Sequence, residues 1–281
     1  MAEPATAWYL YCVVGRDRPP LERLVGVEGA PVTAIADGAL CALASPVPLA
    51  VFGEAPLRRQ LEEIRWVERV ARAHDGVLSD ALGCEAVLPL RMCTVFTDAD
   101  RVRAWLARER GPLLDALGRL RGRAEWSVKA RVDLARLEAQ IGAATGAAPP
   151  ASGEAEVGSG QAFFARKRVE RAVRQRALAH VTAVVDELHG RLCAVASAAR
   201  LLPPQRRELS RLPGTMVHNG AYLVARDRVA GLSAVVSELA ARHHGAGFAI
   251  DVSGPWAPYN FASTGATSDE RRPSASGHAA A

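Results

Sequence analysis

The 281-residue sequence predicts an α+β fold in which the order strand, helix, strand, strand, helix, strand occurs twice. Two observations carry this prediction. Short runs in which apolar and polar residues alternate are typical of half-buried strands. They are separated by longer runs whose apolar residues recur every three or four positions, which is typical of amphipathic helices. The second copy ends in a strand that runs into a peptide rich in aromatic residues.

The composition is that of a globular chain, with 49% apolar and 23% charged residues. The formal net charge is +5, and almost all of the positive charge is arginine. We interpret this charge as solvated helix faces and expect no nucleic-acid partner. Five cysteines are far apart and form no C-x-x-C pair, which predicts a reduced, cytoplasmic protein. We expect neither a leader peptide nor a membrane span.

In the first half, aromatic and β-branched residues predict a strand at 8–14, and a short helix follows at 21–25. Asp37-Gly38 predicts a hairpin between strands 31–36 and 40–44, followed by a loop at 45–48. A helix is predicted over 57–82, and its apolar face is formed by Leu61, Ile64, Val67, Ala71 and Leu78. A strand at 87–96 completes a β-α-β-β-α-β unit, the ferredoxin-like plan. Two helices then follow, one capped by Asp98 or Asp100 and the other beginning near Pro112.

The second half repeats the plan. Residues 125–132 alternate cleanly and predict a strand, whereas 143–160 is a flexible linker or loop. The next helix covers 161–195, with an apolar seam at Leu178, Val181, Val185, Leu188, Leu192 and Val195. An edge strand within 201–212, a strand at 215–225 with an irregularity at Asn219-Gly220, a helix at 228–243 and a strand at 247–253 complete the unit. The predicted domains are 1–123 and 124–262, with a disordered tail at 263–281.

The sequence carries no strong pattern for catalysis, a cofactor or a metal. It contains no phosphate-binding loop, dinucleotide fingerprint, H-E-x-x-H or G-x-S-x-G pattern. His74 faces inward on its helix, which favours a hydrogen-bonded core histidine over a catalytic base. Arg91 lies in the middle of a strand, so it is either a structural ion pair or an anchor for an acidic partner.

The C-terminal peptide admits two interpretations. After Gly254-Pro255 has ended the strand, Trp256, Tyr259 and Phe261 follow within six residues. Burying one such ring stabilises a protein by about 2–3 kcal/mol, so the rings are expected to pack on something. They either close the protein's own core or remain exposed as a binding hot spot.

Five segments together resemble one family, the gas vesicle protein F/L family. The segment 87–96, VLPLRMCTVF, is similar to the family strand V-L-P-x-R-F-G-T-V-F, and EWSVK at 125–129 is similar to E-W-x-V-K. GQAFF at 160–164 resembles G-x-A-Y-L, and GPWAPYNF at 254–261 resembles G-P-W-P-P-Y-x-F. The opening strand at 8–14 also fits. Met92-Cys93 stands where the pattern has Phe-Gly, which puts the local backbone shape in question.

The resemblance implies a non-enzymatic accessory protein for assembling gas vesicles, the hollow protein shells that give microbes buoyancy. Its expected partners are the major shell protein, which is small and hydrophobic, and other gas vesicle accessory proteins. It is expected in the cytoplasm and as a minor component of the vesicle. The candidate partner-binding residues are Trp256, Tyr259, Phe261, Arg91, Arg168 and Arg171.

A second hypothesis stays open at this stage. Tandem ferredoxin-like units could instead form a small-ligand-binding protein or an enzyme. In that case Arg91, His74 and His218 are expected to gather beside a pocket.

Overall fold

The chain folds into two units, each built on a four-stranded sheet. The computed structural model describes residues 5–16, 21, 24–145, 160–204 and 214–263, without the side chains of 160–162. Unit 1 comprises the described residues up to Arg123 together with those from Ala257 onward, and unit 2 is Ala124–Trp256. Most of the predicted linker and nearly all of the predicted tail lie outside the described residues.

Unit 1 has the strand order β2-β3-β1-β4, and each recorded pairing is antiparallel. Its described strands and α-helices, in chain order, are β1 (Thr6–Val14), β2 (Thr33–Asp37), β3 (Leu40–Pro48), α1 (Leu49–Phe52), α2 (Glu54–Gln60), α3 (Ile64–Ala81), β4 (Val87–Phe96), α4 (Ala99–Arg108) and α5 (Arg110–Leu120). Consecutive residues of β1 point to opposite faces, and from Tyr9 to Val14 every one of them is buried. The sheet is therefore covered on both faces.

Several local predictions for unit 1 are confirmed. The β2–β3 hairpin turns at Gly38, whose φ of +60° suits a residue without a Cβ. Asp98 caps α4 by accepting a hydrogen bond from the Arg101 amide at 2.8 Å. Strand β4 has the predicted bounds.

The predicted helix 57–82 is wrong in two respects. It is divided into α2 and α3, because Glu63 takes an extended conformation between them. Its predicted apolar face is also rotated, since Leu61 and Ile64 are 47% and 76% exposed. The buried side chains of α3 are Trp66, Val70, His74, Val77, Leu78 and Ala81. This face buries the tryptophan, which removes more apolar area from water than an isoleucine does.

Two shorter predictions are corrected. The residues 45–48 form the end of β3 and not a loop, pairing with β1 up to Thr6↔Pro48. The pairing between β2 and β3 ends at Thr33↔Ala44, so β1 is the strand neighbour of the β3 extension, and Pro46 and Pro48 are tolerated at such an edge. Val25, predicted at the end of a short helix, instead forms a bridge with Pro31; residues 22–23 of that helix lie outside the described part.

A large irregularity in β4 coincides with the Met92-Cys93 departure. Leu10 pairs with Thr94 and Cys12 with Pro89, so four residues of β4 bulge out opposite Tyr11. At the end of this bulge, Cys93 has a φ of +65°, a left-handed conformation that is unfavourable for a residue with a Cβ. The Cys93 amide donates a hydrogen bond to the Tyr9 hydroxyl at 3.1 Å, which holds the bulge onto β1.

A buried hydrogen bond and ring packing join α3 to this sheet. The Tyr9 hydroxyl lies 2.9 Å from Nδ1 of His74. Because the Tyr9 oxygen already accepts the Cys93 amide, its proton is free to donate to Nδ1. The rings of Tyr11 and Phe52 pack around Tyr9 at centroid distances of 5.0 and 5.6 Å. Burial lowers the pKa of His74 to about 4, so the imidazole is neutral at pH 7, as the sequence predicted for a core histidine.

Unit 2 has the strand order β6-β7-β5-β8. Its described strands and α-helices, in chain order, are β5 (Arg123–Val132), α6 (Leu134–Ala144), α7 (Gly160–Val195), β6 (Ala198–Leu201), β7 (Thr215–Ala225), α8 (Val229–His244) and β8 (Phe248–Trp256). On β5, Glu125 and Arg131 of the predicted polar face are buried, which corrects the prediction of a half-buried strand. Val128, Ala130 and Val132 belong to the predicted apolar face and are also buried. α7 and α8 pack on this face through Leu188 and Leu232.

The second half also differs locally from the prediction. Helix α6 was not predicted, and its Leu137 packs with Val132 and Phe248. The edge strand β6 lies at Ala198–Leu201, before Pro203-Pro204, because proline lacks the N–H that a ladder needs. In α7 the buried residues are Ala177, Val181, Val184, Leu188 and Leu192, whereas Leu178 of the predicted seam is 48% exposed.

The left-handed conformation at Cys93 leads to a prediction about stability. Cys93→Gly should be more stable than Cys93→Ala by about 1 kcal/mol, because glycine adopts a positive φ without strain. Both variants lose the Sγ packing, so the comparison isolates the backbone term. Urea unfolding monitored by circular dichroism measures the difference. An alanine variant as stable as the glycine variant would show that the bulge carries no strain.

The buried imidazole of His74 leads to a prediction about pH. Above pH 6.5 it is neutral in both states, and between pH 6.5 and 4 mainly the unfolded chain gains the proton. The free energy of unfolding therefore falls as the pH drops through this window, by about 3 kcal/mol for this group. His74→Gln should lower stability at pH 7 but show a shallower fall to pH 4.5. Thermal melting against pH measures this, with His244→Gln as the exposed control; equal slopes would contradict it.

Candidate partner-binding surfaces

The C-terminal aromatic peptide is divided between the two units. Up to Trp256 it is the end of β8 in unit 2, and from Ala257 it belongs to unit 1. Glu125 pairs with Trp256 and Ser127 with Ser253, so β8 has one extra residue opposite Trp126. Gly254 lies in this bulge with a φ of +144°, a conformation open to glycine. A Cβ there would meet the Trp126 ring and the Glu125 carbonyl at 3.0 Å. The EWSVK and GPW motifs are thus the two sides of one contact.

Trp256 is half exposed at the end of its strand. Its accessible fraction is 50%, and its indole N–H donates to the Ser253 hydroxyl at 3.3 Å. A large aromatic ring with a polar handle, held at a strand end and open to solvent, has the properties of an interface anchor.

Tyr259 and Phe261 are placed differently, in a short 3-10 helix (Tyr259–Phe261) of unit 1. The Tyr259 ring stacks on His74 with a centroid distance of 6.4 Å and an interplanar angle of 25°. Burial, and after it the charge of Asp75, raises the pKa of the Tyr259 hydroxyl. Phe261 is half-buried. Ala257, just before them, is part of the same core as Tyr9. Tyr259 therefore packs on the unit 1 core through its stacking on His74, although it keeps 42% of its surface exposed.

The N-terminal half of α7 is an exposed and strongly basic helix. From residue 163 to 176 every described side chain is exposed except the half-buried Val173. Arg168 and Arg171 both face solvent here. In the same stretch six basic residues stand against one acidic residue, Glu170. The positive potential of this helix half is therefore largely uncompensated by its own side chains.

Large apolar side chains lie among these charges, and the sequence analysis did not assign them to a surface. Phe163 and Phe164 are 50% and 65% exposed, and their rings meet edge to face at 5.8 Å. The Arg166 guanidinium lies 5.7 Å from the centroid of Phe163. The sequence did contain a signal for this exposure. Phe163 and Phe164 precede Ala177, the residue at which the buried seam of α7 begins.

Arg91 lies in the β4 bulge and its side chain is exposed. Among the described residues no carboxylate lies within ion-pair distance of it, so the predicted structural ion pair is absent from this part of the chain. Its carbonyl accepts a hydrogen bond from the Thr94 hydroxyl at 2.7 Å, which helps to close the bulge.

The histidines of the ligand-binding hypothesis are used in two separate cores. His74 bonds Tyr9 in unit 1, whereas His218 lies 2.9 Å from the Tyr222 hydroxyl in unit 2. Both imidazoles are buried, and burial lowers the pKa of each to about 4. Each imidazole has a structural partner within its own unit.

In the part of the chain that the structure describes, no helix is both long and apolar enough to cross a membrane.

Comparison with known proteins agrees with the resemblance seen in the motifs. The family model described as "Gas vesicle synthesis protein GvpL/GvpF" matches residues 7–263. The chain is 36% identical to gas vesicle protein L of Streptomyces sp. (strain CB03234) over 237 residues, covering 84% of this chain and 85% of that one. It is 30% identical to gas vesicle protein F of the same strain over 264 residues, covering 90% and 98%.

Two solved structures have a similar fold. The crystal structure of GvpF from Anabaena sp. PCC7120 superposes with a TM-score of 0.65 at 19% identity, covering 92% of this chain and 96% of that one. GvpF from Microcystis aeruginosa gives a TM-score of 0.62 at 18% identity, covering 92% and 99%. Since the family model and both Streptomyces relatives match over most of the chain, this protein belongs to the gas vesicle protein L/F family.

Proposed function

We propose that this protein is a non-enzymatic accessory factor that binds the small hydrophobic shell protein of gas vesicles and helps to nucleate the shell. A shell that keeps water out of a gas space needs strongly apolar subunits, and such subunits aggregate unless another surface covers them. Membership of the gas vesicle protein L/F family supports a role in the process of gas vesicle assembly. Within it, the protein would act in the cytoplasm and remain a minor component of the vesicle.

The observation that carries the proposal is the set of large apolar side chains that unit 2 leaves exposed. These include Phe163, Phe164 and Trp256. A hydrophobic partner gains most by covering aromatic anchors of this kind, which dominate binding energies at interfaces. The arginines on the same helix half as Phe163 and Phe164, Arg168 and Arg171 among them, would orient the partner and speed association more than they strengthen it.

The remaining candidates have different roles in this proposal. Tyr259 stays a candidate through its exposed part, although its stacking on His74 also supports the unit 1 core, and Phe261 stays a candidate beside it. Arg91 stays a candidate anchor for an acidic group of the partner, because its guanidinium is exposed. Other gas vesicle accessory proteins are further possible partners of the same surfaces.

We also infer that both units are variants of the ferredoxin-like plan. Each sheet places its strands in the order second, third, first, fourth, which is the order this plan requires. Unit 2 has helices in both crossovers, whereas in unit 1 the described part of the first crossover holds just short 3-10 segments, such as Val27–Gly29.

The aromatic residues lead to a stability prediction that separates core from interface. Tyr259→Ala should lower the melting temperature of the protein, because it removes the ring stacked on His74 and costs about 2 kcal/mol or more. Trp256→Ala should lower the melting temperature by less, because Trp256 is 50% exposed, whereas Tyr259 is 42% exposed and also stacks on the buried His74. Differential scanning calorimetry measures both. A Trp256→Ala variant that unfolds on expression would identify that ring as core and remove it from the binding surface.

The binding surface itself is tested by co-expression with the major shell protein, affinity capture and sizing. Trp256→Ala should weaken capture about tenfold or more, the usual scale for a central aromatic anchor. Val252→Ala, on the same strand, is its control.

Arg168→Glu with Arg171→Glu should also weaken capture, more so at low salt. The same reversals at Arg69 and Arg72, exposed and equally spaced on α3, are the matched control.

If wild-type protein fails to retain the shell protein at any ratio, direct binding is refuted. If it retains the shell protein but all four variants behave alike, binding uses a different surface.

A further inference from the structure

Helix α7 carries an exposed stripe of apolar and basic side chains beside its buried seam. The members of this stripe follow one another at alternating steps of four and three residues, and they are Phe164, Arg168, Arg171, Gln175 and Leu178. Residues at this spacing lie on one face of a helix. All five side chains are exposed. The stripe is therefore one continuous face of α7 that is open to solvent.

The stripe is distinct from the seam that holds α7 in unit 2. Ala177, Val181 and Leu188 of the seam are buried. Leu178, which the periodicity of the sequence assigned to that seam, is 48% exposed. Consecutive residues of a helix are about 100° apart around its axis, so Leu178 points away from the direction of Ala177. A large aliphatic side chain on this open face is stabilised when a partner covers it.

The middle of the stripe carries positive charge. Among the described residues no carboxylate lies within ion-pair distance of Arg168 or Arg171, because Glu170 pairs instead with Arg166 and Lys167. Phe164 and Leu178 stand at the two ends of the stripe, about 21 Å apart along the helix axis at 1.5 Å per residue. The stripe thus presents two apolar side chains with two guanidinium groups between them.

This order of groups selects among possible occupants. A lipid bilayer that took up Phe164 and Leu178 would also have to take up the guanidinium groups between them, which is costly in hydrocarbon. A second copy packed antiparallel on the same stripe would set Arg168 and Arg171 against the same two arginines, and like charges repel. A nucleic acid binds arginine mainly through its phosphates, and those contacts would leave Leu178 uncovered.

We propose that this stripe binds an acidic amphipathic α-helix of a partner protein. Two helices interlock through side chains at alternating four- and three-residue spacing. Apolar residues of the partner helix cover Phe164 and Leu178, and carboxylates between them pair with Arg168 and Arg171. The assignment of this partner helix to the shell protein rests on the proposed function, whereas the class of ligand rests on the stripe itself.

The test uses full-length protein and a helical peptide of about 18 residues, which is long enough to span the stripe. The peptide carries leucine at every third or fourth position, glutamate elsewhere and a neutral fluorophore. A peptide with lysine in place of glutamate is the matched control. In fluorescence anisotropy we expect the glutamate peptide to bind at least about tenfold more tightly than the lysine peptide, and its affinity to fall as salt is raised.

Charge reversal on the stripe should invert this preference. Arg168→Glu with Arg171→Glu puts two negative charges between the apolar ends, so the lysine peptide should then bind more tightly than the glutamate peptide. The same reversals at Arg69 and Arg72, which are exposed and equally spaced on α3, should leave the preference of the wild-type protein unchanged.

The apolar end of the stripe is tested by Leu178→Ala, which should weaken binding of the glutamate peptide severalfold. Leu61→Ala is its control, since Leu61 is exposed to nearly the same extent, 47%, in unit 1. Equal binding of the two peptides, or a preference that survives the reversals at Arg168 and Arg171, would overturn the proposal. So would a single-stranded oligonucleotide or phosphatidylglycerol vesicles that bind more tightly than the glutamate peptide and are indifferent to Leu178→Ala.

The peptide measurements need no shell protein, so the inference and the proposed function fail separately. A protein that binds the glutamate peptide but retains no shell protein would contradict the proposed function and support the stripe as a site for an acidic helix. A protein that retains the shell protein but does not distinguish the two peptides would contradict the stripe alone.

Discussion

The unit 1 structure depends on the hydroxyl of Tyr9. This one oxygen accepts the Cys93 amide from the β4 bulge and bonds His74 on α3. Tyr259, from the far end of the sequence, stacks on the same imidazole. Four elements that are distant in the chain therefore meet around two neutral polar groups in an apolar cluster. Burial of unpaired hydroxyl and imidazole groups costs free energy, so each position is constrained by the others.

The family motifs acquire a physical meaning from the two strand irregularities. VLPLRMCTVF contains the β4 bulge that Tyr9 holds, and its second half includes the left-handed position where the family pattern has glycine. EWSVK and GPWAPYNF meet across β5 and β8, where Gly254 lies against the Trp126 ring. Bulges bend a strand and redirect side chains. The β8 bulge at Gly254 comes just before the chain passes from unit 2 to unit 1. Trp256, the last residue of unit 2, is half exposed, and Ala257, the next residue, is buried in unit 1.

The two units expose different chemistry. In unit 1 the Tyr259 ring stacks on the buried His74 but keeps part of its surface exposed, and the Arg91 side chain on the bulge is exposed. Unit 2 presents Trp256 and a basic helix half that carries Phe163 and Phe164. On that helix half an apolar client would meet Phe163 and Phe164 among arginines, in agreement with the proposed assembly role.

The sequence alone determined what depends on near neighbours. Periodicity located nearly all of the strands and the long helix α7, because side-chain direction repeats every two residues in a strand and every three to four in a helix. The residue type at the helix start located the cap at Asp98. Periodicity could not fix the face of α3, where Ile64 is exposed and Trp66 buried, because two overlapping apolar stripes fit the same period. Nor could it separate Trp256 from Tyr259, three residues apart. Tyr259 stacks on His74, 185 positions earlier, whereas Trp256 stays half exposed. Only the tertiary structure decides such contacts, since they depend on which distant residues arrive at the same place.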